Sequence, residues 1–271
     1  MSGRALSPRA VAKVWGRERL PAPFAAPEGE RIGEIWFDPP RELPEILAKY
    51  LFTSEKLSVQ VHPDDAHAPP GARGKDECWL VLDAEPGASL AIGFDRPVTG
   101  EAMRAAALDG SIERLLAWHA VSAGDFFYLP AGTVHAIGPG LSLVEIQQNS
   151  DVTYRLYDYG RPRALHLDQA IAVARGEPYD STRHRRHAGG GAAALVEGPH
   201  FRLDRVAGAP GAEVAARYDG PLLVMPLDGG VVLDEAYVAA GGCALAERLE
   251  AVDFARCHAA LLAQPVRRGV P

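Results

Sequence analysis

The sequence predicts a mostly β protein, a β-sandwich or barrel with short helical insertions, followed by a smaller second β domain. Its 271 residues include 28 glycines and 22 prolines, spread along the chain with short apolar stretches between them. This spacing is typical of many short strands joined by turns. Hydrophobic residues make up 47% and charged residues 23%, which is ordinary for a globular protein. A chain of this length buries a core that needs no disulfides.

Apolar runs that end at turn residues predict the individual strands. The clearest strands cover residues 57–62, 78–82, 89–94, 126–129 and 141–148. Capping and breaker residues predict three helical insertions between or after these strands. The helices are expected at residues 100–108 behind the cap Thr99, at residues 112–119, and from about residue 167 to 175.

Residues 183–194 have the composition of a flexible linker, because they combine a basic run, His184, His187 and a glycine triplet. We therefore predict a first, catalytic domain over residues 1–182 and a smaller β domain over residues 195–271. Beyond residue 200 the only histidine is His258. The second domain is thus expected to have a structural role.

The net charge, the lack of long apolar runs and the cysteines exclude some partners and indicate a location. A formal net charge of -7 argues against a nucleic-acid partner. No apolar run approaches the ~18 residues that span a bilayer, and residues 1–19 lack the apolar block of a secretory signal, so no membrane partner is expected. Cys78, Cys243 and Cys257 form no CxxC pair, which predicts reduced thiols in a cytoplasmic protein. The sequence carries no indication of the oligomeric state.

Four polar residues are spaced so that strands would bring them together. Gln60 and His62 are two apart and share one face of their strand, and Lys75 and Glu77 share a face of the next. A Pro-x-Gly turn after the strand at 126–129 then delivers His135. One amide oxygen, two imidazoles and one carboxylate suit a first-row divalent ion, above all zinc. Only four of the 28 basic residues are lysines, which draws attention to Lys75.

Two sets of motifs resemble known families. Residues 124–135 resemble the second cupin motif (Gly, five residues, Pro-x-Gly, two residues, His), although Pro139 replaces the usual asparagine. Gln-x-His-Pro-Asp-Asp at 60–65, followed by Gly-Lys-x-Glu-Cys-Trp at 74–79, resembles the type I phosphomannose isomerases, a cupin branch. The segment EIQQNSDVTYRLYDYG at 145–160 is also similar to that family, and the resemblance covers roughly residues 13–175.

The resemblance implies a cupin jelly roll and one zinc ion per chain, in the compact bacterial form of the family. The expected zinc ligands are the family positions that match Gln60, His62, Glu77 and His135. Arg155 and Lys75 match active-site residues. Lys75 or a zinc-bound water could act as the general base, and Arg155 would stabilise charge or bind phosphate.

The activity implied by the resemblance is the interconversion of mannose 6-phosphate and fructose 6-phosphate through an enediol, with a small sugar phosphate as the partner. Two alternatives stay open. The chain could be a cupin isomerase of another sugar or sugar phosphate, or a non-catalytic sugar-binding cupin with a regulatory role. The fold alone does not choose among them, since cupins carry many functions.

Overall fold

The computed structural model describes residues 3–186 and 191–266. Its strands, in chain order, are β1 (Gly3–Ala5), β2 (Pro8–Arg17), β3 (Ile32–Phe37), β4 (Ile46–Phe52), β5 (Val59–Val61), β6 (Glu77–Ala84), β7 (Ser89–Phe94), β8 (Leu116–Ala120), β9 (Asp125–Leu129), β10 (His135–Ile137), β11 (Leu141–Gln148), β12 (Tyr154–Tyr157), β13 (His184–Arg186), β14 (Ala193–Glu197), β15 (Phe201–Val206), β16 (Leu222–Leu233), β17 (Ala236–Ala239), β18 (Ala244–Ala246) and β19 (Cys257–Pro265). The helices are α1 (Gly100–Asp109), α2 (Leu167–Val173) and α3 (Ala212–Ala215), with short 3₁₀ turns at Ser111–Arg114, Ser181–Arg183 and Leu249–Ala251. The prediction of a mostly β protein with short helical insertions is confirmed.

The described strands form three antiparallel sheets. The first has the order β13-β9-β6-β11-β4-β3-β2, and the second has the order β12-β5-β10-β7-β8. The third runs β1-β18-β16-β19-β15-β14, with β17 paired to β16. The first two sheets face each other as a sandwich, because their inner side chains form one buried cluster that includes Trp79, Phe127 and Leu90. Burial of these apolar faces is the main force that holds the two sheets together.

The outer faces of the sandwich are also covered. Helices α1 and α2 pack on the second sheet, where Met103 and Ala170 join a cluster with Phe94. The third sheet covers the first sheet, and Phe126 and Phe201 belong to the same buried core. The site described below therefore lies in a layered molecule, on strands of the first and second sheets.

The helix predicted over residues 112–119 is wrong. Only a 3₁₀ turn at Ser111–Arg114 forms there, and the next residues make strand β8, which pairs with β7. Leucine and alanine in the Leu-Leu-Ala-Trp sequence favour a helix by themselves. Pairing with the exposed edge of β7 places Leu116 in the core, and this tertiary contact overrides the local tendency.

Part of the segment assigned to a linker forms a strand. Residues 184–186 form β13, which pairs with β9 of the first sheet. His187 and two of the three glycines lie outside the described residues. The division into domains at residues 183–194 stays a prediction. Within the described ranges, no helix combines the length and the apolar character that crossing a membrane requires.

Candidate active site

Strand register places three of the predicted site residues side by side. Gln60 on β5 lies opposite His135 of β10 on one side and opposite Arg155 of β12 on the other. Directly opposed residues of antiparallel strands have neighbouring side chains. Strand β5 lies between β10 and β12, and it thus brings His135 and Arg155 next to Gln60, although they are 75 and 95 positions away in the sequence.

The turn that precedes His135 is fixed by its glycine. Gly132 has a φ of 86°, and its N–H donates to the carbonyl of His62 at 2.8 Å. A Cβ there would lie 3.0 Å from the carbonyl oxygen of Val173, and L side chains avoid this backbone region. The turn that leads into His135 is therefore hydrogen-bonded directly to the backbone of His62.

His62, Glu77 and His135 form a buried cluster. Their potential ligand atoms all lie within 4.8 Å of one another. Nδ1 of His62 donates to the carbonyl of Val152 at 2.8 Å, and Nδ1 of His135 donates to the carbonyl of Thr133 at 2.9 Å. Such hydrogen bonds set the tautomer of each ring. Both Nε2 lone pairs consequently point towards the Glu77 carboxylate, at 3.5 Å and 3.3 Å.

This arrangement fits a divalent cation. Two imidazole lone pairs and a carboxylate converge with no hydrogen-bond donor among the three groups, and Oε1 of Glu77 accepts no hydrogen bond within the described part of the chain. A buried charged oxygen of this kind is costly unless a cation neutralises it. Histidine nitrogen and carboxylate oxygen are ordinary ligands of zinc. The predicted association of His62, Glu77 and His135 is thus realised in the geometry.

Gln60 lies at the edge of the cluster, and its amide NH₂ group, rather than its oxygen, faces the cluster. Its Nε2 lies 3.3 Å from Nε2 of His135, while its Oε1 accepts from the hydroxyl of Ser58 at 3.0 Å. A half-turn of the amide would present the oxygen to the cluster and the NH₂ group to the Ser58 hydroxyl, which also accepts hydrogen bonds. Gln60 can therefore join a metal site by rotation of one side-chain bond.

Burial and charge keep the cluster in the protonation states that a cation needs. Burial lowers the pKa of His62 well below its usual value, and the Lys75 charge lowers it further. Burial also lowers the pKa of His135. Burial alone would raise the pKa of Glu77, but the charge and hydrogen bond of Lys75, together with the charges of His135 and Lys49, outweigh it and the pKa falls. The imidazoles are thus neutral and the carboxylate is ionised at neutral pH.

Lys75 borders the cluster and begins a row of alternating charges. Its Nζ lies 2.6 Å from Oε2 of Glu77 and 3.1 Å from Nε2 of His62. Oε1 of Glu145 lies 3.6 Å from Lys75 Nζ and 2.9 Å from Lys49 Nζ. Glu34 then pairs with Lys49 at 3.6 Å and with Lys13 at 2.9 Å. We call these six residues, from Lys13 to Glu77, the charge ladder.

The sequence reasoning missed Glu145, Lys49, Glu34 and Lys13. The charge ladder crosses five neighbouring strands of the first sheet, and only their order brings the residues together. One signal was present, because three of the four lysines of the chain belong to the ladder. The scarcity that drew attention to Lys75 applies equally to Lys13 and Lys49.

An open cavity of about 270 Å³ lies beside the cluster. Gln60, Lys75, Glu145 and Arg155 line it, together with Arg163. Nε of Arg155 is buried and has no hydrogen-bond partner among the described residues. Burial, and then the charge of Arg163, lower the pKa of Arg155. The Arg155 guanidinium therefore lines the cavity with an unused N–H, whereas Arg163 makes two hydrogen bonds with Asp158 at 2.5 Å and 2.6 Å.

The antiparallel sandwich and the donor cluster have the architecture of the metal-binding cupins. No family model matches the sequence. A 146-residue stretch is 45% identical to a mannose-6-phosphate isomerase of Streptococcus mutans and covers 51% of this chain. The same match covers 46% of that relative, so the aligned region spans about half the length of the curated protein.

Two solved structures share the fold over nearly the whole chain. The mannose 6-phosphate isomerase of Bacillus subtilis has a TM-score of 0.77 at 23% identity, covering 97% of this chain and 100% of that one. A zinc-bound mannose 6-phosphate isomerase has a TM-score of 0.71 at 15% identity, covering 98% and 100%. The chain thus has the phosphomannose isomerase fold, and the predicted resemblance to that family is confirmed.

Proposed function

We propose that this chain is a zinc-dependent aldose-ketose isomerase that interconverts mannose 6-phosphate and fructose 6-phosphate through an enediol. The observation that carries the proposal is the buried His62–Glu77–His135 cluster at the edge of a cavity that also holds Lys75 and Arg155. The names of its relatives support the same substrate.

Zinc would be held by His62, Glu77 and His135, with Gln60 as the fourth ligand after rotation of its amide. When bound, the ion supplies Lewis-acid polarisation of the substrate oxygens, which stabilises negative charge on the enediolate. The charge ladder itself sums to zero, with three lysines against three glutamates. A divalent cation would therefore leave the buried site positive and complementary to a phosphate dianion.

Arg155 would bind the phosphate group. It lines the cavity next to Gln60 and has an unused buried N–H. A guanidinium stays protonated and presents paired donors that match phosphate oxygens.

Proton movement between carbon 1 and carbon 2 is assigned to Lys75 and Glu145, which both line the cavity and lie 3.6 Å apart. Burial would raise the pKa of Glu145, but the charges on Lys49 and Lys75 lower it, so the carboxylate is available as an acceptor. Its Oε2 is fixed by the indole N–H of Trp79 at 2.9 Å. The same side chain is thus oriented and ionised before substrate arrives.

The test is a coupled assay with mannose 6-phosphate, before and after chelation and after zinc is added back. We expect turnover that the chelator abolishes and zinc restores. Free mannose and other aldose phosphates, assayed in parallel, separate this substrate from its alternatives. A protein that binds zinc stoichiometrically but turns over none of these substrates would contradict the proposal and favour a binding role.

We further propose a cytoplasmic location. Cys78, Cys243 and Cys257 are all buried and free, as expected for thiols kept reduced. The third sheet, to which all the strands described after position 191 belong, would serve as structural support for the sandwich. Deletion of a single strand is unsuitable as a test of this support, because the first and third sheets share a core.

Thiol titration of protein purified without reductant measures directly whether the three cysteines are reduced.

A further inference from the structure

Asp76 lies between two segments that carry the ligands of the cluster. It directly precedes Glu77, and its side chain is turned away from the cluster towards the third sheet. Oδ1 accepts the N–H of Ala131 at 2.8 Å, in the turn that leads to His135. Oδ2 accepts a short hydrogen bond from the hydroxyl of Tyr128. One carboxylate therefore links the strand of one ligand to the turn that precedes another.

The backbone of Asp76 is held equally firmly. Its N–H donates to Oε1 of Gln148 at 2.9 Å, and its carbonyl accepts the N–H of Gln148 at 3.0 Å. Nε2 of Gln148 donates to Asp65 at 3.1 Å, and Asp65 accepts the N–H of Gly74 at 2.7 Å. This ring of hydrogen bonds fixes residues 74–77, which include Lys75. Asp76 is 6% exposed, so its own hydrogen bonds are shielded from bulk water, whereas Asp65 lies at the surface.

Residues at and just before the start of β15 in the third sheet pack against Asp76 and Tyr128. The ring of Tyr128 meets Phe201 edge-on with a centroid separation of 6.2 Å. His200 lies within 4.0 Å of the Asp76 carboxylate and 3.6 Å from Asp65. Burial raises the pKa of Tyr128, and the Asp76 charge raises it further. The phenol therefore remains a neutral donor, and its hydrogen bond to Asp76 stays directed towards the carboxylate.

We infer that Asp76 is a positioning residue for the metal site, which couples the strand carrying Glu77 to the turn before His135, with Tyr128 as its support. The inference rests on the proposed function only for the presence of the metal. None of the atoms of Asp76 or Tyr128 belongs to the ligand cluster, so their effect passes through the placement of Glu77 and His135. Residues that orient metal ligands typically change metal affinity about 10–100-fold when mutated.

The test uses the full chain and measures zinc affinity by competition with a chelator. Asp76→Asn removes the charge at nearly constant volume, and Tyr128→Phe removes only one hydrogen bond. Tyr179→Phe is the matched control, because the hydroxyl of Tyr179 donates to the carbonyl of Tyr128 at 2.9 Å and not to Asp76. We expect the zinc dissociation constant to rise about tenfold for Asp76→Asn and several-fold for Tyr128→Phe. Tyr179→Phe should stay within about twofold of the parent protein.

The visible spectrum of the cobalt-substituted protein gives a second readout that a merely stabilising residue would not move. We expect a changed ligand-field spectrum for Asp76→Asn and Tyr128→Phe and an unchanged one for Tyr179→Phe. Unaltered affinity and spectrum in the first two, or an equal loss in the control, would overturn the inference. Failure of the parent protein to bind zinc would overturn it together with the metal site. Zinc binding without isomerase turnover would contradict the proposed activity and leave the inference about Asp76 intact.

Discussion

Nζ of Lys75 lies 2.6 Å from Oε2 of Glu77, and the two side chains are 7% and 2% exposed. The ammonium thus neutralises a carboxylate that has been taken out of water and that also faces two neutral imidazoles. A buried pair of this kind is costly to break from one side, because the remaining charge is left uncompensated. The pair therefore matters for the stability of the metal-free protein as well as for chemistry in the cavity.

Lys75→Met should lower the free energy of unfolding of the metal-free protein by about 3 kcal/mol, as expected for removal of one partner of a buried pair. Zinc should restore much of this loss, because the ion supplies the missing positive charge, while isomerase activity stays low. Urea unfolding with and without zinc measures both effects. Lys56→Met is the control, since Lys56 pairs with Glu113 near the surface and should cost at most about 1 kcal/mol. Equal losses in the two variants would contradict the prediction.

Gln60→Ala should weaken zinc binding without preventing it, because three ligands remain. We expect the zinc dissociation constant to rise at least about tenfold, because mutation of residues that only orient the ligands of a metal already has an effect of this size. Ser58→Ala is an informative companion, since the Ser58 hydroxyl donates to Oε1 of Gln60 and its loss frees the amide to rotate. Zinc affinity unchanged in Gln60→Ala would remove Gln60 from the ligand set.

Arg155→Ala should reduce turnover of the phosphorylated sugar while leaving zinc bound, because the guanidinium lines the cavity but lies outside the ligand cluster. We expect a loss of about 100-fold in kcat/KM, in line with the about 1.5–3 kcal/mol of a hydrogen bond to a charged group. Arg155→Lys should recover part of it, since lysine keeps the charge and loses the paired geometry. Full activity in Arg155→Ala would exclude the phosphate role.

Glu145→Gln should lower kcat with zinc content unchanged. The amide is close to the carboxylate in size but accepts no proton, so a loss of about 10²–10⁴-fold is expected if Glu145 takes part in proton transfer. Exchange of the carbon 2 hydrogen with solvent deuterium, followed by NMR, separates this step from substrate binding. Retention of both turnover and exchange would assign the proton transfer elsewhere.

Glu34 makes the stability of the protein depend on pH. Burial would raise the pKa of its carboxyl, but the charges of Lys49 and Lys13 lower it below the usual value of 4.5. Because the folded pKa is the lower one, Glu34 contributes stability above about pH 4.5 and loses it as the pH falls through its folded pKa. The difference in unfolding free energy between the parent and Glu34→Gln should thus be largest near pH 7 and shrink below pH 4.5. Urea titrations between pH 7 and about pH 3, across the window below the unfolded pKa, measure it, and a constant difference would contradict the prediction.

The sequence by itself predicted the members of the candidate ligand cluster, because alternation along a strand and the motifs that carry the family resemblance are local properties. Gln60 and His62 are two residues apart and share a face of an extended segment whatever the partner strands. The Pro-x-Gly turn after the strand at 126–129 marked His135, which begins β10 in the structure. The short helix behind Thr99 was equally local, since its cap and its Asp109–Gly110 end lie within the segment, and the hydroxyl of Thr99 accepts the N–H of Ala102 as expected.

Only the tertiary structure decided the charge ladder and the surroundings of Asp76. Lys13, Glu34, Lys49, Glu145 and Glu77 come from five strands whose chain order differs from their order in the sheet, so no spacing in the sequence relates them. The same holds for residues 112–119, where pairing with β7 prevailed over a weak helical preference. Local patterns fix which way a side chain points on its own strand, whereas strand order and register fix which charges it meets, and those depend on the packing of the whole chain.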